Sequence, residues 1–306
     1  MCPRFSLTNA ADINVVRTDG CGGSSPRDII LTMKQATVNI GTFVAAAVFA
    51  LAGCITKTNQ TPNVLTEAEK SEGWELLFDG KNIPSDKWVG VKTGLSSFPA
   101  KGWTVEDGCL TVHPEKAIVD GKAVPLPENL RALGGGGDIV TKAKYSNFEF
   151  AFDFRLTKAG NSGVKYFYDE KLDKGTCEEY QILDNAHPDS KKGRAGNRKA
   201  ASLYDLIPAN ADSILRPLGE WNSGRVVSYG KKVEHWLNGV KVLEYERGSA
   251  AFREAVNASK YAKWGVGPDG KARPWGENAQ GRILLQDHAD STVSFRNLKV
   301  KSWNCR

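Results

Sequence analysis

The sequence predicts an all-β protein, an antiparallel β-sandwich or jelly roll with short peripheral helices. Three observations carry that expectation. From Gly73 onward, short segments rich in Val, Phe, Tyr and Trp recur, among them WELLFDG, WTVEDGCLTV, DIVTKAKYSNFEFAFDFRL, SGVKYFY and STVSFRNLKVKSW. Several alternate apolar with polar residues, the period of a strand with one buried face. DG, NG and GG dipeptides punctuate them, and no long helical pattern intervenes, so the strands pair through tight turns and not through helical crossovers. No repeat of fixed period emerges, which argues against propellers and solenoids.

In chain order, residues 1–32 precede a complete export signal and read as an over-extended start. Met33-Lys34-Gln35 opens a basic region, Ile40 to Ala52 is apolar, and the run closes at Leu51-Ala52-Gly53-Cys54. The apolar run is shorter than the roughly 18 residues of a membrane span, so 33–53 reads as a signal peptide. LAGC resembles the lipobox of bacterial lipoproteins, which implies lipidation of Cys54 and a lipid-anchored place in the cell envelope. ITKTNQ after Cys54 lacks an acidic run, favouring the periplasmic side. Residues 54–72 read as the lipidated cysteine and a polar tether that ends in one helical turn, signalled by the capping-box pattern TEAE at 66–69. The folded domain is expected over 73–306.

Within it, Asp107-Gly108 and Asn238-Gly239 are two-residue hairpin turns. Trp74, Trp88, Trp103 and Trp303 stand in core-like alternation. A helix is predicted from Ser249 to Lys260, where Phe252, Ala255, Val256 and Ser259 follow a Ser N-cap. GVGPDG at 265–270 matches a dinucleotide fingerprint in letters only, because Pro268 and Pro274 forbid the helix that would receive a pyrophosphate. Gly134–Gly137 lacks the Lys-Ser/Thr of a phosphate loop, and neither HExxH nor GxSxG occurs.

The 306 residues carry 41% hydrophobic and 25% charged side chains, and the net charge of +6 is dispersed except for SKKGRAGNRK at 190–199. That excludes a basic stripe for nucleic acid. Of six cysteines, Cys2 and Cys21 precede the signal and Cys54 would carry lipid, leaving Cys109, Cys177 and Cys305. Three allow at most one disulfide, and no Cys/His spacing suggests zinc. No cofactor is expected, and a divalent metal is left open.

The chemistry-bearing residues gather at strand ends. In EEYQILDNAH (178–187), alternation puts Tyr180 and Ile182 on one face and Glu179 and Gln181 on the other; in RILLQDH (282–288), it puts Ile283 and Leu285 opposite Gln286 and His288. On a sandwich one face of each sheet is free, and there such groups converge with Asn161, Tyr204, Asp205, Trp221 and Trp236. Aromatic faces beside amides and carboxylates suit a carbohydrate. His235 shares a face with Val233 and Leu237, a position that also suits a core histidine.

The ordered series GWELLFDGK, WTVEDGCL, DIVTKAKYSNFEFAFDFRL, GNSGVKY, EYQILDNAH, SLYDL, EWN, VEHWLNG, SKYAKW, LQDH and VSFRNLKVK, running from about Gly73 to Trp303, resembles the DUF1080 family of 3-keto-disaccharide hydrolase domains. The resemblance implies a concanavalin-like lectin/glucanase jelly roll. It also implies cleavage of glycosides already oxidised to a ketone at C3 by a separate dehydrogenase: C2 proton abstraction, β-elimination and rehydration, for net hydrolysis. On this reading Glu179 and His288 are the proton-transfer pair, and Gln181, Gln286 and Asn161 hold the ketone and hydroxyls. Trp236 or Trp221 stacks on the ring, with Asp184, His187 and Asp205 as second candidates. Two alternatives remain. A direct hydrolase would pair Glu179 with Asp205 or Asp287 at roughly 5 to 5.5 or 6.5 to 9.5 Å, and a non-catalytic lipoprotein would merely hold glycan on the same face.

Overall fold

The computed structural model describes residues 61–119, 122–173, 176–264 and 274–303; the signal sequence, Cys54, the GVGPDG loop and Cys305 lie outside the described residues. In chain order the strands are β1 (Trp74–Leu76), β2 (Trp88–Gly90), β3 (Trp103–Glu106), β4 (Cys109–Val112), β5 (Lys116–Val119), β6 (Lys122–Pro125), β7 (Ile139–Thr141), β8 (Phe148–Leu156), β9 (Asn161–Tyr168), β10 (Glu178–Leu183), β11 (Trp221–Tyr229), β12 (Lys232–Leu237), β13 (Val240–Glu246), β14 (Arg282–Leu285) and β15 (Val293–Ser302). Three short helices accompany them: α1 (Glu67–Ser71), α2 (Glu128–Arg131) and α3 (Ala250–Asn257). Two antiparallel sheets make the sandwich. The large sheet has eight strands in the order β13-β12-β11-β8-β15-β4-β3, with β1 on β15; the small sheet has five, β10-β9-β14-β7-β2; β5 and β6 form a separate hairpin.

The core lies between the sheets, and β8 shows why. FEFAFDFRL alternates strictly, with Phe148, Phe150, Phe152 and Phe154 buried and the residues between them half-exposed. Each buried phenylalanine contributes roughly 1.5–3 kcal/mol by leaving water. Tyr180 of the small sheet meets Phe152 edge-on, 5.3 Å between ring centres. Gly224 pairs with Phe152 across the ladder, and a Cβ there would stand 2.4 Å from its ring, so the bulk of one strand dictates glycine in the next.

Both expected hairpins form. Asp107 (φ 49°) and Gly108 (φ 73°) join β3 to β4, and Asn238 (φ 50°) and Gly239 (φ 84°) join β12 to β13, the positive angles a two-residue turn needs. Trp88 and Trp103 are buried, donating to the carbonyls of Leu77 and Gly137, whereas Trp74 and Trp303 lie half-exposed. Cys109 and Cys177 are buried free thiols. The helix expected to reach Lys260 starts at its Ser249 cap but ends at Asn257, and Lys260 opens a separate 3₁₀ turn, Lys260–Trp264.

The polar segment read as a tether differs more. Residues 61–72 are docked on the large sheet. Asn63 and Asn297 exchange amide bonds, Asn63 N to Asn297 Oδ1 at 2.6 Å and Asn297 N to Asn63 Oδ1 at 2.8 Å, and Asn63 Nδ2 reaches the Gly108 carbonyl at 2.8 Å. The Thr66–Glu69 capping box closes α1, and Glu69 and Glu72 pair with Lys299 and Lys301. Composition reads such a stretch as solvated because each polar group's partner lies far away in sequence.

β9 and β10 are buried along both faces. On the core side they meet the large sheet. Along its free edge β10 is bonded by a folded-back segment: Gln181 N donates to Ser202 O, Ala201 N to Gln181 O, and Tyr204 N to Glu179 O. This segment and the 260–264 turn supply walls above a floor of strand residues.

Candidate active site

The alternation of three neighbouring strands builds the floor. Tyr180, Ile182, Ile283 and Leu285 point into the core. Their neighbours, Glu179 and Gln181 on β10 with Gln286 and His288 beyond β14, line a hollow of about 120 Å³ together with Asn161 and Lys165 of β9. Its walls are Thr176, Tyr204, Lys260 and Tyr261. Gly163 lies opposite Gln181 in the ladder, and a Cβ on it would meet Glu179 Oε1 at 2.1 Å, so the carboxylate lies across bare backbone. The Gln181 carboxamide sits between Asn161 and Glu179. With its nitrogen toward the acid it donates to Glu179 Oε1 at 3.2 Å and Ser162 O at 3.3 Å.

Charge in the hollow is unbalanced. Glu179 is the one carboxylate among the described lining residues, facing the cationic side chains Lys165 and Lys260 and the His288 imidazole. Burial pushes the Glu179 carboxyl up, against the pull of Lys165, Lys260 and His288. Lys165 is opposed by burial, yet Glu179 and Asp138 outweigh that and its shift is upward, holding it charged. Lys260, although its side chain remains exposed, shifts the other way: partial desolvation lowers it, Arg198 adds to the effect, and Glu179 and Asp205 only partly compensate. Burial also disfavours the His288 imidazolium, but Nδ1 is bonded to Asp290 Oδ1 at 2.8 Å, and this bond, the Asp290 charge and Glu179 shift it upward overall. Asp290 is raised by burial but lowered more by His288, ending below the ordinary carboxylate range. The Asp290 bond fixes which ring nitrogen of His288 is left to serve the hollow.

The walls are aromatic and braced from behind. Tyr204 donates to Asp189 at 2.9 Å, with Lys260 Nζ 4.3 Å above its ring. Tyr261 stacks on Trp275 at 4.2 Å, which continues onto Phe252 of α3. Burial raises both tyrosine hydroxyls, so they remain protonated donors.

Six of the residues singled out from sequence therefore converge: Glu179, His288, Gln181, Gln286, Asn161 and Tyr204. The others stand elsewhere. Asp184 brackets a loop, its two oxygens accepting from Ala159 N and Ala186 N at 2.9 Å each. His187 caps the Pro188–Lys191 turn through Nδ1. Asp205 is held by Arg198 at 2.7 Å and accepts from Lys260 N at 3.0 Å, so it positions a wall residue from behind. Asp287 accepts from Gly137 N and Ala289 N. His235 is a core histidine, fully buried between Tyr166 Oη at 2.7 Å and Ala201 O at 2.8 Å, and burial lowers its pKa to about 4.

The two tryptophans expected to stack on a sugar beside Glu179 are on the other sheet. Trp221 lies between the Arg155 and Arg296 guanidiniums on the outer face of the large sheet, and Trp236 carries Arg225 at 4.1 Å and lines a separate hollow of about 390 Å³ with Asp153 and Asn297. Alternation fixes which side of a strand a residue takes, but a sandwich has two outer faces. Sequence reasoning gave no role to Lys165, Lys260, Tyr261 or Asp290, although the first three stand in the motifs GNSGVKY and SKYAKW. Lys165 carried a local signal as well, standing four residues after Asn161 on the same face of one strand.

Comparison with known proteins agrees with this architecture. Residues 73–301 match the model of the 3-keto-alpha-glucoside-1,2-lyase-like domain. A protein of Bacteroides thetaiotaomicron named 3-keto-disaccharide hydrolase is 36% identical over 246 residues, covering 76% of this chain and 79% of that protein. A crystal structure from Parabacteroides distasonis, provisionally named a glycosyl hydrolase, is 31% identical with a TM-score of 0.61, covering 80% of this chain and 100% of its own. The chain belongs to the family of 3-keto-α-glucoside-1,2-lyase-like domains, also called DUF1080, and is an enzyme of the hydrolase or lyase type.

Proposed function

We propose that the protein cleaves 3-keto-glycosides by removing the C2 proton, eliminating the C1 substituent and adding water across the resulting double bond. The observation that carries this reading is the make-up of the hollow: a single carboxylate faces two lysines and a histidine among the described lining residues. A direct glycosidase needs two opposed carboxyl groups, and the acids that the sequence offers as partners for Glu179 are engaged elsewhere, Asp205 with Arg198 and Asp287 with backbone amides. A ketone at C3 acidifies the C2 proton, so one base and one acid suffice. Glu179, its basicity increased by burial, takes the proton; His288, kept cationic by Asp290, protonates the leaving oxygen. Lys165 offers fixed positive charge to the electron density that develops, while Gln181, Gln286 and Asn161 hold the ketone and hydroxyls. The small volume suits one sugar ring at the end of a substrate.

A 3-keto-glucoside deuterated at C2 tests this. A primary isotope effect on kcat/KM and loss of the label to water in the first turnovers are expected; cleavage with no isotope effect and with the label retained would overturn the elimination. We further place the enzyme in the cell envelope, lipid-anchored at Cys54, after a separate dehydrogenase that installs the ketone.

A further inference from the structure

Of the described residues lining the hollow, three carry hydroxyls, and two of these are spent on the protein. Thr176 donates to the Asp173 carbonyl at 2.8 Å, and Tyr204 donates to Asp189 at 2.9 Å. Tyr261 is only 3% exposed, yet its hydroxyl makes no hydrogen bond to any described residue. A phenol withdrawn from water without an acceptor is a cost to the fold. When that phenol lines a hollow, the cost is recovered once a ligand supplies the acceptor.

The ring is held from behind. It stacks on Trp275 at 4.2 Å with the planes 14° apart, and the stack continues through Phe252 to Tyr245, a column of four rings. Its backbone is tied as well, Tyr261 N donating to Ser259 Oγ at 3.0 Å. The donor therefore keeps its place before a substrate arrives, the condition for stabilising charge as it develops. Burial first and Glu179 next raise its pKa, so it stays neutral and protonated.

We infer that the Tyr261 hydroxyl is a catalytic hydrogen-bond donor to the C3 oxygen of the substrate, an inference that rests on the 3-keto-glycoside reading above. When the C2 proton passes to Glu179, the electron pair left behind forms a C2–C3 double bond and the carbonyl pair moves onto the C3 oxygen. The bond from Tyr261 strengthens as that oxygen turns from ketone to enolate, and Tyr261 keeps its own proton throughout. The pair on oxygen then re-forms the ketone, the C2–C3 pair shifts to C1–C2, the C1–O bond breaks, and the departing oxygen takes its proton from His288. A phenol that gives up its proton poorly suits an enolate oxygen and does not suit the protonation of a leaving group.

The test compares the whole protein with Tyr261→Phe, which deletes the hydroxyl and keeps the ring in its stack. The substrates are p-nitrophenyl and p-methoxyphenyl 3-keto-α-glucosides, a good and a poor leaving group, and the released phenols are measured by chromatography. The variant should keep the wild-type thermal midpoint, and should lose roughly 10²-fold in kcat on both substrates with KM changed by less than about threefold. A lowered midpoint would show that the hydroxyl already has a partner in the free protein and would overturn the assignment. So would kcat at the wild-type level, a loss carried by KM alone, or a loss confined to the p-methoxyphenyl compound, the mark of an acid serving the leaving oxygen. Each of these outcomes leaves the elimination reading standing, whereas failure of the wild-type protein to cleave either 3-keto-glucoside would overturn both.

Discussion

The absence of a side chain at Gly163 shapes the site as much as the acid above it. Because its missing Cβ is the space into which Glu179 folds, Gly163→Ala should leave the fold intact, the clash being with the end of a flexible side chain, yet displace the carboxylate. Its thermal midpoint should stay near wild type while turnover falls by about 10² or more; full activity would show that the Glu179 position is immaterial. His288 and Asp290 make a second residue-scale statement. Asp290 raises the His288 pKa, so Asp290→Asn should lower it. If His288 acts as the acid, activity fails once it deprotonates, and the alkaline limb of the kcat/KM profile must move to lower pH in the variant. An unmoved limb would remove His288 from that role. His235 shows the opposite shift, to about 4 from an ordinary 6.5. The unfolded chain then binds this proton first, so its neutral form supports the fold fully above about pH 6.5, and that support is lost as pH falls toward 4, by roughly 3 kcal/mol in all. His235→Gln should flatten the decline of the thermal midpoint across this window; an equally steep decline would assign acid sensitivity to other groups.

At the scale of elements, the docked segment 61–72 is a strap. Its hold is the Asn63–Asn297 exchange, closing a sequence separation of 234 residues. Asn63→Ala leaves the Asn297 amide and the Gly108 carbonyl without these partners, and unmet buried polar groups cost about 1–3 kcal/mol each. A fall in thermal midpoint of several degrees, measured calorimetrically, is expected, whereas an unchanged midpoint would mean that water replaces the strap at no cost. What the sequence discloses about these elements follows from how local each signal is. The hairpin turns, the Thr66 capping box and the alternation of β10 and β14 depend on neighbours within a few residues, and all are readable. The strap depends on partners at the far end of the chain. The Lys260 turn is too short to show a period, so the motif SKYAKW marks its position but not the turn that carries the lysine to the hollow. Trp221 and Trp236 alternate correctly, yet which outer face they occupy is decided by sheet order, and sheet order is set by pairings that no local pattern records.

For the whole molecule, the sandwich provides what neither sheet provides alone: a rigid apolar interior that fixes the floor strands, and an edge segment and 3₁₀ turn that bring cations over that floor. Glu179 with Lys165 is a strand-derived pair, while Tyr204 and Lys260 arrive from connections, so the site exists only once the domain has closed. Delivery to the envelope would rest on Cys54, and Cys54→Ala should release the protein from the membrane fraction without altering its activity; retention in that fraction would discount the anchor. The central claim is that the hollow acts on a ring already carrying a ketone. Matched p-nitrophenyl α-glucosides, one native and one oxidised at C3, test it by the release of p-nitrophenol under identical conditions: release from the oxidised compound alone is predicted, and equal or faster release from the native one would contradict the account.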